Sequence, residues 1–353
     1  MTSRPVLSGL ACPVPSSGYE GIVLGHGSGG RLSQELLSRV FLPALGKKES
    51  FTREDQATLS FPPKGKLALT TDGFVVKPLV FPGGDIGSLS VHGTVNDLAV
   101  GGARPLYLTA SFILEEGLDL ELLRRVVVSM RKAAESVPVD IVTGDTKVVD
   151  RGKGDGIFIT TTGVGVIPEG VSLSASAARP GDVVIVSGTL GDHGIAILSA
   201  REGIELETDL ESDSAPLFGL TTAILNASPL VRCMRDPTRG GLSSALNEIA
   251  AASSVGVVLT EDRIPIRADV RGACELLGLD PLYVANEGKL VAIVAREAAE
   301  AVLGAMRGHA LGRNAAIVGE VVREHPRVVT QRSPIGGERI VALLSGEQLP
   351  RIC

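Results

Sequence analysis

Ring side chains are almost missing from this sequence: it has no Trp, 3 Tyr and 8 Phe, an aromatic fraction of 3%. So few ring faces argue against a stacking platform for single-stranded nucleic acid. They also leave Val, Leu, Ile and Ala to build the cores, and a hydrophobic fraction of 44% supplies them amply. An excess of one charge is missing too. Lys and Arg number 34 against 40 Asp and Glu, both signs are dispersed, and the formal net charge is −6. That balance argues against nucleic acid or an anionic membrane as a partner. No uninterrupted run of ~18 apolar residues occurs, so no transmembrane helix is expected. Cysteine is scarce, at 4 residues, and Cys12, Cys233, Cys274 and Cys353 form no CxxC pair. Neither a zinc site nor a disulfide framework is suggested.

Several catalytic signatures are also absent. There is no GxxxxGK[ST], so this is not a Walker-type phosphate loop, and no GxSxG elbow of an esterase. His26, His92, His193, His309 and His325 are not linked by HExxH, which gives a metal hydrolase little support.

What is present points to a two-domain enzyme. A length of 353 residues exceeds the ~250–300 at which a single core stops growing. Residues 1–20 read as a loose Pro/Ser/Gly arm without the apolar run of a signal peptide, so a cytoplasmic location is expected. Helical spacing follows "GHGSGGR", and "VHGTVNDLAVGGA" and "DLELLRRVVVSMRKAAESV" also read as helices. Strands are expected at "KLALTTDGFVV", "PLYLTASFIL", "VDIVTGDTKVV" and "GIFITTTGVGVI". After a break near residue 170, "DVVIVSGTLGDHGIAIL" passes from strand to helix, "DPTRGGLSSALNEIAAAS" opens a helix, and "YVANEGKLVAIV" reads as a strand. The mixed order in both halves gives two α+β domains.

Three carboxylates fall where strands give way to turns: Asp72 in "TTDG", Asp97 in "VNDLA" and Asp145 in "TGDTK". Hard oxygens among Gly, Thr and Asn neighbours suit Mg²⁺ carrying nucleotide phosphates. The same residues could equally be turn or helix caps. "GHGSGGR" could wrap phosphate through backbone donors. Lys147 could neutralise phosphate charge or be a solvated lysine at a strand end. Glu287 in "ANEGKL" could serve as a general base or as an ordinary turn carboxylate. Asp236 and Arg239 in "DPTRGG" either contact an anion or cap the helix that follows. Cys353, the last residue, is expected to be exposed, and Arg351 beside it could assist thiolate formation.

The ordered set "HGSGGR", "TTDGF", "HGTVNDLAVGGARP", "TGDTKVV", "GDVVIVSGTLGDHG", "DPTRGGL", "NEGKL" and "PRIC" resembles the HypE family of hydrogenase maturation proteins. The wider superfamily holds aminoimidazole ribonucleotide (AIR) synthetase, selenophosphate synthetase and thiamine-monophosphate kinase. The resemblance implies the α+β, AIR synthetase-like two-domain fold: residues 21–168 for ATP binding and dimerisation, 169–342 for a second α+β domain, and 343–353 as a mobile tail. It implies a homodimer whose N-terminal domains form a β-barrel. It implies ATP-dependent dehydration of a thiocarboxamide on Cys353 to a thiocyanate, after loading by a HypF-type carbamoyltransferase and before cyanide passes to iron on a HypC–HypD complex. ATP and Mg²⁺ would be held by Gly27, Gly29, Gly30, Asn96 and Thr146 with Asp72, Asp97 and Asp145, the three aspartates holding the metal. Lys147, Glu287 and Cys353 would carry the chemistry. The rival reading is a small-molecule kinase or synthetase of the same superfamily, in which Cys353 is incidental.

Overall fold

The structure is a computed structural model that describes residues 19–45, 56–62, 64–203, 209–344 and 351–353. Cys12, nearly all of the expected N-terminal arm and residues 345–350 of the tail lie outside the described residues.

In the first half, β1 (Lys66–Phe74), β2 (Arg104–Glu115), β3 (Asp140–Val149) and β4 (Ile157–Ile167) form one sheet in the order β1-β4-β2-β3. β4 lies antiparallel to both neighbours, and β2 and β3 run parallel. Two helices cover the sheet. α1 (Ile86–Val100) begins at Asp85, whose carboxylate accepts from the N–H groups of Gly87 and Ser88. It is apolar on nearly every side and is buried accordingly. α2 (Leu120–Glu135) is amphipathic: Leu123, Val126, Val127, Met130 and Ala134 face the core at helical spacing. Its N-cap is Asp119, which accepts from the Glu121 N–H at 2.8 Å.

The second half builds a larger sheet from β5 (Val183–Val186), β6 (Val231–Arg235), β7 (Gly256–Thr260), β8 (Val291–Val294), β9 (Ala316–Val322), β10 (Val329–Arg332) and β11 (Glu338–Ile340). The order is β11-β10-β7-β9-β5-β8-β6, antiparallel except where β10 meets β7. The helices are α3 (Asp192–Glu202), α4 (Phe218–Ala227), α5 (Gly241–Ser253), α6 (Ala268–Leu277) and α7 (Ala299–Arg307). β5 and β8, four apolar residues each and wholly buried, are neighbouring interior strands. No helix among the described residues is long and apolar enough to cross a membrane.

One strand is shorter than its sequence suggests. "YVANEGKLVAIV" is extended and paired only over Val291–Val294. Before it, the Asn286 N–H bonds to the Pro237 carbonyl and the Glu287 N–H to the Asp213 carboxylate, at 3.1 and 3.0 Å. Those donors are therefore lost to the sheet ladder, and residues 286–289 become a loop that carries Glu287 toward the other domain.

Candidate active site

A cavity of about 490 Å³ lies between the two sheets. β1 contributes Asp72 and α1 contributes Asp97; the loop after β6 supplies Asp236 and Arg239; the loop before β8 supplies Glu287. Cys353 lines the same cavity.

None of the three predicted aspartates is a cap. Asp72 lies within β1, Asp97 within α1 and Asp145 within β3. The Thr70 hydroxyl donates to Asp97 Oδ2 at 2.6 Å. Burial and the neighbouring Asp97 push Asp72 up to about 6, against the pull of Arg239. Asp236 rises to about 7, first through burial and then through the charge of Asp97. Glu287 is 2% exposed and its Oε1 atom has no hydrogen-bond partner. Burial first, and then Asp236, Asp213, Asp72 and Asp97, raise its pKa well above the usual carboxylate range. Four carboxylates thus face one cavity, with Arg239 beside them.

The ambiguity over "DPTRGG" is resolved by glycine. Gly240 and Gly241 both have left-handed backbone, with φ of 76° and 60°. A Cβ at Gly241 would come within 2.7 Å of the carbonyls of Leu282 and Val284. Gly240 is the N-cap of α5 with no side-chain cap bond. Asp236 and Arg239 are free of capping duty and line the cavity instead.

The remaining predicted residues lie elsewhere. Asn96 is buried and is not part of the cavity lining: its Nδ2 donates to the carbonyls of Ala215 and Glu287, both at 3.0 Å. Its Oδ1 accepts from Leu217 N–H at 2.7 Å. It clamps the Glu287 loop rather than facing a ligand. Asp145, Thr146 and Lys147 sit on β3, where Lys147 Nζ is 2.7 Å from Asp145 Oδ2 and both side chains are 61% exposed. Asp145 Oδ1 also accepts the Thr146 N–H. The glycine segment lies against this strand, because a Cβ at Gly27 would overlap the Val148 backbone. Gly29 takes a left-handed φ of 78° and Gly30 precedes a six-residue helix, Arg31–Leu36. β1 and β3 are opposite edges of the sheet, about 14 Å apart at ~4.8 Å per strand. One chain therefore holds its predicted residues in two groups.

Cys353 is half-buried rather than exposed, because the end of the tail is held on both sides. Ile352 bridges antiparallel to Val76, and its side chain joins the core of the first domain. The Val75 N–H donates to the Cys353 carbonyl at 2.9 Å and the Lys77 N–H to that of Arg351 at 3.1 Å. His193 Nε2 lies 2.6 Å from the Ile352 carbonyl. Arg351 does not serve the thiol: its guanidinium is 2.7 Å from Asp155. Burial and then Glu287 push the Cys353 thiol up to about 12.

Two domain models match this architecture, "AIR synthase related protein, N-terminal domain" over residues 53–167 and the corresponding "C-terminal domain" over 179–331. The fold is the two-domain α+β fold of that class. The carbamoyl dehydratase HypE of Azotobacter vinelandii is 58% identical over 93% of this chain and 96% of its own length. A crystal structure of hydrogenase maturation protein HypE in complex with ATP superposes with a TM-score of 0.90 at 48% identity, covering 94% of this chain and 99% of that one. HypE in a HypE–HypF complex gives 0.77 at 46%, over 89% and 100%. Within the AIR synthase-related class, the chain belongs to the HypE family of carbamoyl dehydratases in hydrogenase maturation.

Proposed function

We propose that the chain dehydrates a carbamoyl group carried as a thiocarboxamide on Cys353, using ATP, and yields a thiocyanate whose cyanide serves [NiFe]-hydrogenase maturation. The observation that carries this reading is the place of Cys353, inside its own chain's carboxylate-lined cavity beside Glu287. A kinase for a small free substrate would leave that docking without purpose.

Bound ATP with Mg²⁺ supplies phosphoryl transfer, which turns the amide oxygen, otherwise a very poor leaving group, into phosphate. The donor set fits such a cation. Asp72, Asp97 and Asp236 offer hard oxygen ligands. After burial, the negative charge of Asp97 helps to raise the pKa of both Asp72 and Asp236, the signature of uncompensated negative charge. Among the described residues no three potential ligands gather closely enough to hold a metal unaided, so Asp72 and Asp97 would share it with phosphate oxygens. Glu287 is the proposed base. Burial, and then the surrounding carboxylates, favour its protonated form. Positive charge among them returns it to the carboxylate form, able to take a proton from the amide nitrogen as the C≡N bond forms. The walls of the cleft keep water from the activated carbon.

The second group of residues enters through a homodimer. The sheet of the first domain has β1 and β3 as open edges, and Leu67 and Leu69 on β1 are 58% and 63% exposed. Two such sheets closing edge to edge would make an eight-stranded barrel without free edges. With β1 of one copy against β3 of the other, the glycine segment, Asp145, Thr146 and Lys147 of the partner would meet Asp72. Loading by a HypF-type carbamoyltransferase and transfer to a HypC–HypD complex complete the cytoplasmic sequence.

Intact-mass measurement tests the proposal. With carbamoyl phosphate, ATP and a HypF-type partner, the chain gains a carbamoyl group on Cys353 and then loses one water as ATP is consumed. A Cys353→Ala chain that gains and loses the same masses would overturn it.

A further inference from the structure

The histidine in "GDHG" has no part in the chemistry above, yet it is among the most completely enclosed polar side chains of the molecule. His193 lies in the first turn of α3 and is 0% exposed. Its ring stands edge-on to Phe81, centroids 5.8 Å apart. Both nitrogens are engaged: Nε2 with the Ile352 carbonyl at 2.6 Å, Nδ1 with the Ser212 hydroxyl at 2.7 Å.

The partners determine where the ring proton sits. A carbonyl can only accept, so Nε2 carries the hydrogen. Burial keeps the ring neutral, so Nδ1 has no hydrogen and accepts from the Ser212 hydroxyl, whose oxygen in turn accepts from the Ser214 N–H at 3.1 Å. The ring is neutral and held in one tautomer, and its burial favours that neutral state.

The Ile352 carbonyl belongs to the peptide group that leads into Cys353. Holding that plane sets the direction in which the Cys353 side chain leaves the backbone. Val75 and Lys77 hold the same stretch from the first domain, while His193 and Arg201, whose Nη2 reaches the Arg351 carbonyl at 2.6 Å, hold it from the second. The tail is thus gripped between domains at the residue that precedes the sulfur.

We propose that His193 is a positioning residue for the reaction at Cys353: its Nε2–H, donated to the Ile352 carbonyl and oriented by Ser212, seats the thiocarboxamide against Glu287. This rests on Cys353 being the carrier. A misplaced reacting group loses rate steeply even when every reacting residue is intact.

Two full-length variants test it. His193→Phe keeps a planar aromatic ring but cannot donate; His193→Gln keeps a terminal N–H donor. The first readout is iodoacetamide alkylation of the unmodified chain, mapped by peptide to Cys353, Cys233 and Cys274. His193→Phe is expected to speed alkylation at Cys353 by about tenfold, the size of one lost hydrogen bond, and to leave buried Cys233 and Cys274 slow. The second readout is water loss from the carbamoylated chain, which His193→Phe should slow by at least as much. His193→Gln should restore both to within a few-fold of the parent. Alkylation of Cys353 at the parental rate in His193→Phe overturns the proposal, and so does an equal rise at all three cysteines, which would mean a loosened fold. A His193→Gln chain as impaired as His193→Phe overturns it too. A parental chain that never loses water would refute the dehydratase reading and leave the alkylation result standing.

Discussion

Asp213 directs Glu287: its Oδ1 atom accepts the Glu287 main-chain N–H at 3.0 Å, while its Oδ2 pairs with Lys289 Nζ at 3.0 Å. A carboxylate from one loop thus holds another loop at two points, one a main-chain N–H and one a lysine side chain. Asn96 adds a third by donating to the Glu287 carbonyl. The proposed base rests on a rigid support, as a group that must meet a small target requires.

Glu287→Gln should accumulate the carbamoylated chain. Removing a general base costs about 10²–10⁴-fold in rate, while loading on Cys353 continues. Intact-mass time courses check this, and prompt water loss by the variant would remove Glu287 from its role.

Gly288→Ala should disturb the same support. A Cβ there would overlap the Asp213 carbonyl, so the two loops must part. We expect a stability loss of about 1–3 kcal/mol, typical of overpacking, together with slow dehydration. Thermal melts and mass time courses read both, and a variant with parental values in each would contradict the packing described.

Asp236 predicts a pH dependence. It keeps its proton up to about pH 7, against 3.8 for an ordinary aspartate. Between those values the unfolded chain releases that proton and the folded chain does not. Folded-state stability therefore falls as pH rises from about 4 to about 7, then levels. Asp236→Asn removes this loss. Without nucleotide or divalent cation, the melting-temperature gain of the variant should grow across that window and stay flat above it. A gain independent of pH would show that Asp236 is not held neutral.

Mixing two inactive chains tests the proposed dimer. Asp72→Asn and Lys147→Ala should each fail alone. If the site draws Asp72 from one copy and Lys147 from the other, a random mixture regains one working site in each heterodimer. That is about a quarter of parental activity from twofold symmetry. No recovery would place both residues in one chain's site.

Much of this was legible in the sequence, and the failures have physical causes. The amphipathic spacing of α2 and the apolar runs of β5 and β8 announced themselves, because burial leaves a periodic trace. Asp72, Asp97, Glu287 and Cys353 were named from motifs, and the fold collects all four in one cavity. The separation of Asp145 and Lys147 could not be read, since strand order within a sheet is a long-range property. Asn96 was expected to hold ATP through the family resemblance alone, since nothing in its own sequence neighbourhood shows what its amide binds. Only the carbonyls of Ala215 and Glu287, far away in sequence, show its use. His193 was invisible for the same reason: its partner is 159 positions away.

The seating of Cys353 in its own chain's cavity, with Arg351 and Ile352 held beside it by main-chain hydrogen bonds, has a kinetic corollary. A tethered reactant meets its site at an effective concentration set by chain geometry rather than by the amount in solution. The water-loss step should be first order, with a half-time unchanged on dilution for as long as the assembly holds. Competition from unattached carbamoyl compounds has little to act on, and a labile, toxic group is kept on a leash through its most reactive stage.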